Sequence, residues 1–346
     1  MANGDKRARA ATIHDVAAAA GVSARTVSRV INRSPKVGEE TRKAIEAVIA
    51  QLGFSPNSRA RGLSAGRSNL IGVVQDDPNA HVIGIIQRGI VDAAREPGYE
   101  LIVHPADRND PALLDNIRSF IAKSRVDGLI LLPPISERAD VAAALGAMGL
   151  PCVGMAAIPV DGYGVAMVSD ERGAAAEMAG HLADLGHRRI ATVTGPREFQ
   201  SSRERETGFR AALEARGIDL PPAYVVEGDY GFASGLAAGE RLLALADRPT
   251  AIFAGNDMMA AGVMKAGHLR GLRVPDDLSV AGFDDSDLAA MLTPDLTTIR
   301  RPLLENARRA TRALIEQIEQ GEADTEGTVA GPLLLVVRGS TGRVPV

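Results

Sequence analysis

Two arginines four residues apart, Arg25 and Arg29, lie in the short segment VSARTVSRVIN at residues 22–32. Apolar residues recur between them at helical spacing, and most of the other polar side chains are small hydroxyl groups. A guanidinium group presents its N–H donors as a planar fork, which matches the acceptor edge of guanine. The segment therefore has the chemistry of a helix that binds a polyanion, and a solvated surface helix is the alternative.

The charge of the chain is unevenly distributed. Residues 1–67 carry twelve Lys or Arg against five Asp or Glu, a net charge of +7. The rest of the chain carries 27 bases and 38 acids, a net charge of −11. A basic head on an acidic body indicates that the head meets a polyanion. Chance clustering of bases is the alternative that charge alone leaves open.

Capping signals predict two short helices in the head. Thr12 and Asp15 have the spacing of a capping box, in which each side chain bonds to the backbone N–H of the other residue. Gly21 can take the positive φ that ends the first helix. Ser23 is a good N-cap for a second helix over residues 24–31.

A third helix is predicted over residues 39–52, and Gly53 ends it. Its apolar face consists of Ala44, Ile45, Val48, Ile49 and Leu52. One small core is completed by apolar residues of the first two helices and their turn: Val16, Ala20, Val22, Val27 and Val30. Two short helices joined by a glycine-containing turn form a helix-turn-helix.

The second helix of a helix-turn-helix lies in the major groove of DNA, where its N-terminal residues meet base edges. Because the apolar side of this helix is needed for packing, its polar side is left for DNA. The candidate DNA-contacting residues are Ser23, Ala24, Arg25, Thr26, Ser28 and Arg29. None of them is bulky enough to block a groove.

The segment TIHDVAAAAGVSARTVSRVIN at residues 12–32 resembles the N-terminal signature of the lactose-repressor (LacI/GalR) family of bacterial transcription regulators. The resemblance continues along nearly the whole chain. It implies that two adjacent residues, Ala24 and Arg25, set the preference for an operator half-site, and that Arg29 and Asn32 add base and phosphate contacts. Because Ala24 offers only an apolar contact, we expect Arg25 to supply much of the operator preference.

Residues 54–69, FSPNSRARGLSAGRSN, mix Pro, Gly, Ser and Arg. This composition alone indicates a flexible linker, although two helical turns with Ala60 and Leu63 on one side would fit within it. The resemblance implies a hinge helix that pairs with a second copy in the minor groove, where Leu63 wedges into a base step. Asn57 and Ala60 complete the implied DNA-contacting set. Gly62 would make the hinge depend on DNA for its order, since Gly costs up to ~1 kcal/mol relative to Ala in a helix.

From residue 70 onward, apolar runs typical of strands alternate with amphipathic segments typical of helices, in two successive series. This pattern predicts two Rossmann-like α/β lobes, each a parallel sheet with helices on both faces. The resemblance implies a body like a periplasmic sugar-binding protein, with a chain that crosses between the lobes. The expected domains are a helix-turn-helix domain at 1–54, a hinge at 55–69 and an effector-binding and dimerisation domain at 70–346. Within the last, lobe one would comprise about 70–167 plus 300–329, and lobe two about 168–298 plus 330–346.

Polar and aromatic residues follow several predicted strands, and open α/β sheets bind ligands beyond the carboxyl ends of their strands. They are Tyr230, Asn256, Asp257, Asp284 and Asp285, joined by Arg203 at the start of a helix. Such a set suits a polyhydroxylated ligand, because carboxylates and amides bond paired hydroxyls. Each has a structural alternative: Asn256 or Asp257 as an N-cap, Asp284 as a turn residue, and Arg203 in a surface ion pair.

The segments AGNDMMAAGVMKA, LSVAGFDD and TPDLTTIR, with the RxxxxGF pattern of residues 203–209, resemble the effector-binding core of the same family. The resemblance implies effector contacts from Arg203, Tyr230, Asn256, Phe283 and Asp284, with Phe199 at the mouth of the cleft. Residues 153–157, VGMAA, depart from the polar pair that many relatives carry there. This departure leaves one wall of the cleft apolar.

The sequence argues against an enzyme and against a metal or cofactor site. No GxGxxG follows the first strand, and no P-loop, HExxH or GxSxG motif occurs. The histidines show no metal-ligand spacing, and we expect His187, in LGHRRI, to cap or pack. A sugar-binding receptor without a DNA role is the alternative function, but it would need a signal peptide where this chain has a basic head.

No apolar run reaches the ~18 residues of a membrane helix, and the single cysteine, Cys152, fits a reducing compartment. We expect a cytoplasmic, nucleoid-associated repressor. Its partners would be a near-palindromic DNA operator, a small effector of the carbohydrate class and a second copy of the chain. Two heads on two half-sites require a dimer, and the C-terminal GSTGRVPV has no heptad helix for a tetrameric coiled coil.

Overall fold

The computed structural model describes residues 11–31, 36–54, 67–76, 80–321 and 330–344. The chain divides into two compact units, Met1–Asn69 and Leu70–Val346, called here the head and the body. Within the described ranges, no helix combines the length and apolarity that a membrane crossing requires.

The head contains the three predicted helices: α1 (Ile13–Ala19), α2 (Ala24–Ile31) and α3 (Glu39–Leu52). The predicted capping box is present, since Thr12 Oγ1 accepts from the Asp15 backbone and the Asp15 carboxylate accepts from the Thr12 backbone. Gly21 has a φ of +67° in the turn before α2. Ser23 Oγ accepts from Thr26 N at 3.1 Å, so the predicted N-cap of α2 is also formed.

The core of the head consists of Val16, Ala17, Val27, Val30 and Ile45. Two residues of the predicted apolar face of α3 lie outside it, because Ala44 is exposed and Leu52 keeps 39% of its surface accessible. Two short helices cover only a narrow stripe of α3. The prediction for Ala44 and Leu52 was therefore wrong within the described head.

The first lobe of the body, lobe one, is a five-stranded parallel sheet in the order β2-β1-β3-β4-β5. Its strands are β1 (Leu70–Gln75), β2 (Glu100–Pro105), β3 (Gly128–Leu131), β4 (Cys152–Ala156) and β5 (Val165–Val168). Its intervening helices are α4 (Ala80–Ala94), α5 (Leu113–Ser124) and α6 (Ala139–Ala147).

The second lobe, lobe two, is a four-stranded parallel sheet in the order β7-β6-β8-β9. Its strands are β6 (Ile190–Thr194), β7 (Val225–Glu227), β8 (Ala251–Ala254) and β9 (Ser279–Ala281). Its helices are α7 (Glu171–Asp184), α8 (Gln200–Glu214), α9 (Phe232–Leu243), α10 (Asp257–Leu269) and the short α11 (Asp287–Met291). Three fully buried rings stand at the centre of its core: Phe209, Phe253 and Phe283.

The chain crosses between the lobes more than once. It passes from β5 of lobe one to α7 of lobe two, and returns through β10 (Thr298–Arg300) to α12 (Leu303–Gln320). Helix α12 packs on α4 of lobe one so closely that a Cβ on Gly89 would lie 2.6 Å from the carbonyl oxygen of Leu304. The last strand, β11 (Leu334–Val336), pairs antiparallel with β10, and Leu335 packs against the core of lobe two.

Candidate functional site

The polar side of α2 is open within the head. Val27 and Val30 are buried in the core, whereas Arg25 is exposed and Arg29 is partly exposed. Ser23 and Thr26 cap the helix and bond to each other through their hydroxyls at 2.9 Å. Helix α2 therefore presents a cation on a side that no packing in the head requires.

The other residues predicted to contact DNA differ in exposure, and some lie outside the described residues. Ala24 and Ser28 are partly buried on α2, so each offers a small surface beside the arginine. The other four residues predicted to contact DNA lie outside the described residues: Asn32, Asn57, Ala60 and Leu63.

A cavity lies between the two lobes of the body, beyond the carboxyl ends of their strands. It contains about 770 Å³ of space not filled by protein atoms, part of which is open to solvent. Lobe one contributes residues that follow β3 and end β4, and lobe two contributes residues that follow β7, β8 and β9. Doubly wound sheets bind small molecules at this position.

Four of the six predicted effector contacts line the cavity: Phe199, Tyr230, Asn256 and Asp284. Phe283 is fully buried. Its ring lies 3.7 Å beneath the guanidinium carbon of Arg205, so it supports a lining residue from behind.

The assignment of Arg203 to the cavity is contradicted by the structure. Arg203 is exposed, and its Nε donates to the carbonyl of Arg197 at 2.6 Å. Arg205 lines the cavity instead and is 5% exposed. Two residues along a helix correspond to a rotation of about 200°, so the two side chains leave α8 on opposite sides. The alternative ion pair of Arg203 with Glu204 or Glu206 is not formed in the described structure, where Arg172 and Arg210 take those partners.

Arg205 is held by three kinds of contact. Its Nε donates to Glu171 Oε2 at 2.7 Å, its Nη1 donates to the carbonyl of Gly255 at 2.5 Å, and its planar face stacks on Phe283. These contacts fix the guanidinium before any ligand enters. A ligand would therefore meet a preorganised cation.

Glu171 joins Arg205 to a second arginine, Arg301. Its carboxylate is 1% exposed and lies 2.7 Å from Arg205 Nε and 3.4 Å from Arg301 Nη2. Burial alone would raise the pKa of Glu171, but the two guanidinium groups outweigh burial and lower the pKa below its usual value. Glu171 is therefore ionised, and it lies where the chain first crosses between the lobes, whereas Arg301 lies where it returns.

Asp284 completes this ionic network from the end of β9. Its Oδ1 accepts from Arg301 Nη1 at 3.1 Å, and its backbone N–H donates to Ile299 at 2.8 Å. Its φ of +117° is rare for a residue with a side chain. Non-glycine residues in such conformations cluster at ligand sites, where the surrounding bonds hold them in place.

Asp257 lies behind Asp284 at the start of α10. Its carboxylate accepts from the hydroxyl of Thr298 at 2.6 Å and from the backbone and hydroxyl of Ser286 at 2.7 and 2.9 Å. Burial, and then the nearby charge of Asp284, raise the pKa of Asp257 to about 7 despite these bonds. The residue links the end of lobe two to β10, and it lies outside the cavity lining.

Asn256 combines the two roles that the sequence left open. It lines the cavity, and it is also the N-cap of α10, since its Oδ1 accepts from Met259 N at 2.9 Å. Its Nδ2 donates to the carbonyl of Tyr230 at 2.9 Å. One N–H and one lone pair of the amide remain for a ligand.

Two aromatic rings line the cavity. Phe199 and Tyr230 meet edge to face at 5.4 Å, and the guanidinium of Arg108 in lobe one lies 4.4 Å from the centre of the Phe199 ring. Burial raises the pKa of Tyr230, whereas the charge of Arg205 and, to a smaller extent, the neighbouring Ser201 lower it in part. Within the described structure the tyrosine hydroxyl is buried without a hydrogen bond of ordinary geometry. It is therefore available to a ligand.

The wall of the cavity on lobe one is mostly apolar, with Ser169 after β5 and Asn306 on α12 as its polar residues. The segment at the end of β4, which contains Met155, Ala156 and Ala157, lines it as the sequence predicted. Further lining residues come from α4, from the loop after β3, from β5 and from α12: Val82, Ile83, Ile86, Leu132, Pro133, Met167 and Leu303.

Sequence reasoning missed six polar lining residues: Ser169, Glu171, Ser201, Arg205, Arg301 and Asn306. For Arg205 a signal existed, because it shares helical spacing with Ser201, Ser202, Gly208 and Phe209, all of which are buried. Glu171 gave no such signal, because in the sequence it is an ordinary acidic residue in the first turn of a predicted helix. His187, which was expected to pack, is fully buried and bonds to the hydroxyls of Thr250 and Ser279.

Comparisons with known proteins agree with this architecture. Residues 12–57 match the model of bacterial regulatory proteins of the lacI family, and residues 179–341 match the periplasmic binding protein-like domain. The chain is 35% identical to the ribose operon repressor of Escherichia coli (strain K12), with 94% of this chain and 98% of that protein covered.

Two solved structures resemble the whole chain. The Lac repressor dimer bound to operator and the anti-inducer ONPF has a TM-score of 0.80 and 31% identity, over 96% of this chain and 100% of that one. The complex of the transcriptional regulator CelR with cellobiose has a TM-score of 0.70 and 31% identity, over 95% and 99%.

The fold and the comparisons together define a DNA-binding regulator with a periplasmic-binding-protein-like body. The chain belongs to the LacI family of bacterial regulatory proteins. It is a transcriptional regulator with a helix-turn-helix DNA-binding head and an effector-binding body.

Proposed function

We propose that the chain is a repressor that binds a near-palindromic operator as a homodimer and is controlled by a sugar or sugar derivative in the interlobe cavity. The observation that carries the proposal is that one chain has both an open cationic side on α2, in the head, and a preorganised polar wall in the cavity of the body. The ribose operon repressor and the CelR–cellobiose complex support a carbohydrate effector. The Lac repressor dimer on its operator supports two heads on one DNA site.

Several finer assignments belong to the same proposal. Arg25 reads the operator, with Ser23, Ala24, Thr26, Ser28, Arg29 and Asn32 beside it. Residues 55–69 form the hinge, in which Asn57, Ala60 and Leu63 contact the minor groove. The effector contacts are Arg205 in place of Arg203, with Phe199, Tyr230, Asn256 and Asp284, while Phe283 supports Arg205. The protein acts in the cytoplasm on chromosomal DNA and catalyses no reaction.

Two contacts between the lobes provide a way for effector binding to be coupled to the arrangement of the lobes. Glu137 of lobe one accepts from Ala157 N at 2.9 Å and from Gln200 N, at the start of α8 in lobe two, at 3.2 Å. Arg108 of lobe one packs over Phe199 of lobe two. An effector that favours one arrangement of the lobes shifts the population of dimers whose hinges are close enough to pair on DNA. The proposed lobe boundaries, near residues 168, 300 and 330, are the crossings about which the lobes move.

The experiment that tests the proposal is selection of bound DNA from a randomised pool by the full chain. A homodimer with one reading helix in each head should enrich a near-palindrome whose half-sites are separated by about one helical turn. A saccharide that raises the melting temperature of the protein should then change the affinity for that sequence. Enrichment of no palindrome would refute the operator assignment, and a binding sugar without effect on DNA affinity would refute the coupling.

A further inference from the structure

Helix α8 carries several groups of the cavity at its start. Ser201 and Arg205 line the cavity from its first two turns, and Phe199, which also lines it, is the N-cap. The orientation of these side chains therefore depends on how the start of α8 is held. Phe199 makes no side-chain bond to the N–H groups of the first turn. Those groups can therefore bond to a partner from outside the helix.

Glu137 of lobe one is such a partner. It ends a single turn of 3₁₀ helix, Ile135–Glu137, which follows β3. Its Oε2 accepts from the N–H of Gln200, the first residue of α8, at 3.2 Å, and its Oε1 accepts from Ala157 N of lobe one at 2.9 Å. An acidic side chain at a helix N-terminus is stabilised by the N–H groups and the dipole of the helix. The start of α8 is therefore capped from the opposite lobe.

The two bonds of Glu137 require a carboxylate. Each of its oxygens faces one backbone N–H, so both oxygens must accept, as those of an ionised carboxyl group do. Burial raises the pKa of Glu137, and the two N–H bonds act against that rise. An amide here would turn its NH₂ group toward one of the two N–H donors. The bond to Gln200 is the one expected to break, because Ala157 is held in the same lobe as Glu137.

A second residue of lobe one holds the same turn of α8. The guanidinium of Arg108 lies over the ring of Phe199 at 4.4 Å. Arg108 is itself fixed, since its Nε and its backbone N–H both donate to Asp76 Oδ2 at 2.7 Å. Arg138, next to Glu137, donates to the carbonyl of Arg108 at 3.1 Å. Lobe one therefore meets the start of α8 with two groups that are held in place by bonds of their own.

We propose that Glu137 is a positioning residue for effector binding: its carboxylate caps α8 from the opposite lobe and keeps Ser201 and Arg205 in register with lobe one. The effector selects the arrangement of the lobes in which this cap is formed. This inference rests on the proposed function and names the residue through which lobe one acts on the ligand groups of lobe two. Loss of the cap leaves Arg205 its bonds to Glu171 and Gly255, so it changes the arrangement of the lobes and not the contacts of Arg205.

Two substitutions remove the cross-lobe bond from opposite sides. Glu137→Gln keeps the size of the side chain and replaces one acceptor oxygen by an NH₂ group. Gln200→Pro removes the N–H donor, and proline suits the first position of a helix. Phe199 already has the extended backbone that a residue before proline adopts, with φ −84° and ψ 123°. Glu198→Gln is the matched control, because it removes the same charge from an exposed side chain two residues before Gln200.

The assays use the full chain. Binding of D-ribose and of cellobiose is measured by isothermal titration calorimetry, and binding of the selected operator by fluorescence anisotropy. For a sugar that binds wild type, Glu137→Gln and Gln200→Pro should each weaken binding about 5-fold or more, the lower limit for one buried group left unpaired. The control should bind as wild type does. Without sugar, the operator affinity of both variants should shift in the direction opposite to the shift that the sugar causes in wild type, because both changes act on one equilibrium.

The double variant shows whether the two residues act through one bond. Glu137→Gln combined with Gln200→Pro should weaken sugar binding no more than the stronger single change, because both remove the same bond. Additive losses overturn the inference, and so does unchanged sugar affinity in either folded single variant. If Glu137→Gln does not fold, Gln200→Pro alone decides by its sugar affinity.

Hydrogen exchange separates this inference from the proposed function. If neither sugar binds wild type, that failure concerns the proposed effector class, and the cap is tested without ligand. Amide exchange in the peptide of residues 199–206 should be faster in Glu137→Gln than in wild type, and unchanged in Glu198→Gln. Equal exchange in the two variants, or an operator affinity equal to that of wild type in both Glu137→Gln and Gln200→Pro, overturns the inference.

Discussion

Replacing Glu171 by Gln removes the anion that joins the two arginines of the cavity. The carboxylate is 1% exposed and its partner Arg205 is 6% exposed, so the pair lies outside bulk water. Breaking a buried ion pair by removing one partner destabilises by about 3–5 kcal/mol, because the remaining charge stays buried. Arg205 retains the carbonyl of Gly255 and the Phe283 ring, and Arg301 retains Asp284. We therefore expect the lower end, about 3 kcal/mol.

The assay is urea unfolding of wild type and variant, followed by circular dichroism. Glu204→Gln is the matched control, because it removes the same charge from an ion pair with Arg172, whose side chain is 57% exposed. An exposed pair contributes no more than about 1 kcal/mol. Glu171→Gln should lower the free energy of unfolding by about 2 kcal/mol more than the control. Equal losses in the two variants would show that removing Glu171 leaves no costly buried charge on Arg205. That result would refute the reasoning.

Three further predictions concern Asp257, Gly195 and Thr12. Since the pKa of Asp257 is raised to about 7, its ionisation opposes folding. The stability of wild type relative to Asp257→Asn should therefore fall as pH rises from 4 to 7, by at most about 4 kcal/mol; parallel melting curves across that range would contradict this. A Cβ on Gly195 would overlap the Tyr230 ring, so Gly195→Ala should abolish the melting shift caused by a cavity ligand, whereas Gly84→Ala, with open space around it, should preserve that shift. Thr12→Ala removes the cap of α1 and should destabilise the head by about 1 kcal/mol in thermal unfolding followed by circular dichroism; an unchanged melting temperature would show that the capping box contributes nothing.

Local signals made the head predictable from the sequence. Thr12, Gly21, Ser23 and Gly53 specify where helices begin and end through bonds to residues at most five positions away. The same reasoning predicted the long alternation of strands and helices in the body, because each element there carries its own apolar pattern. These predictions required no knowledge of how distant segments meet.

Three strands and the crossing residues were not predictable in this way. Strand β5 follows β4 without a helix between them, and β10 and β11 form a separate two-stranded sheet, so none of the three continues the alternation of strand and helix. Glu171 and Arg301 become neighbours only because the chain crosses between the lobes near both of them, 130 residues apart in sequence. The RxxxxGF pattern predicted Arg203 and not Arg205, because a sequence motif gives only the spacing of residues. Which side of a helix faces a cavity depends on how the helix packs.

The most direct test of DNA reading by α2 is the affinity of Arg25→Ala for the selected operator and for random DNA, measured by fluorescence anisotropy at one salt concentration. A bidentate contact to guanine predicts a loss of about 1–3 kcal/mol on the operator and a much smaller loss on random DNA. Lys43→Ala removes a cation from α3, 73% exposed, and should affect both DNAs alike. Equal loss on operator and random DNA in Arg25→Ala would contradict the claim that this arginine reads the operator.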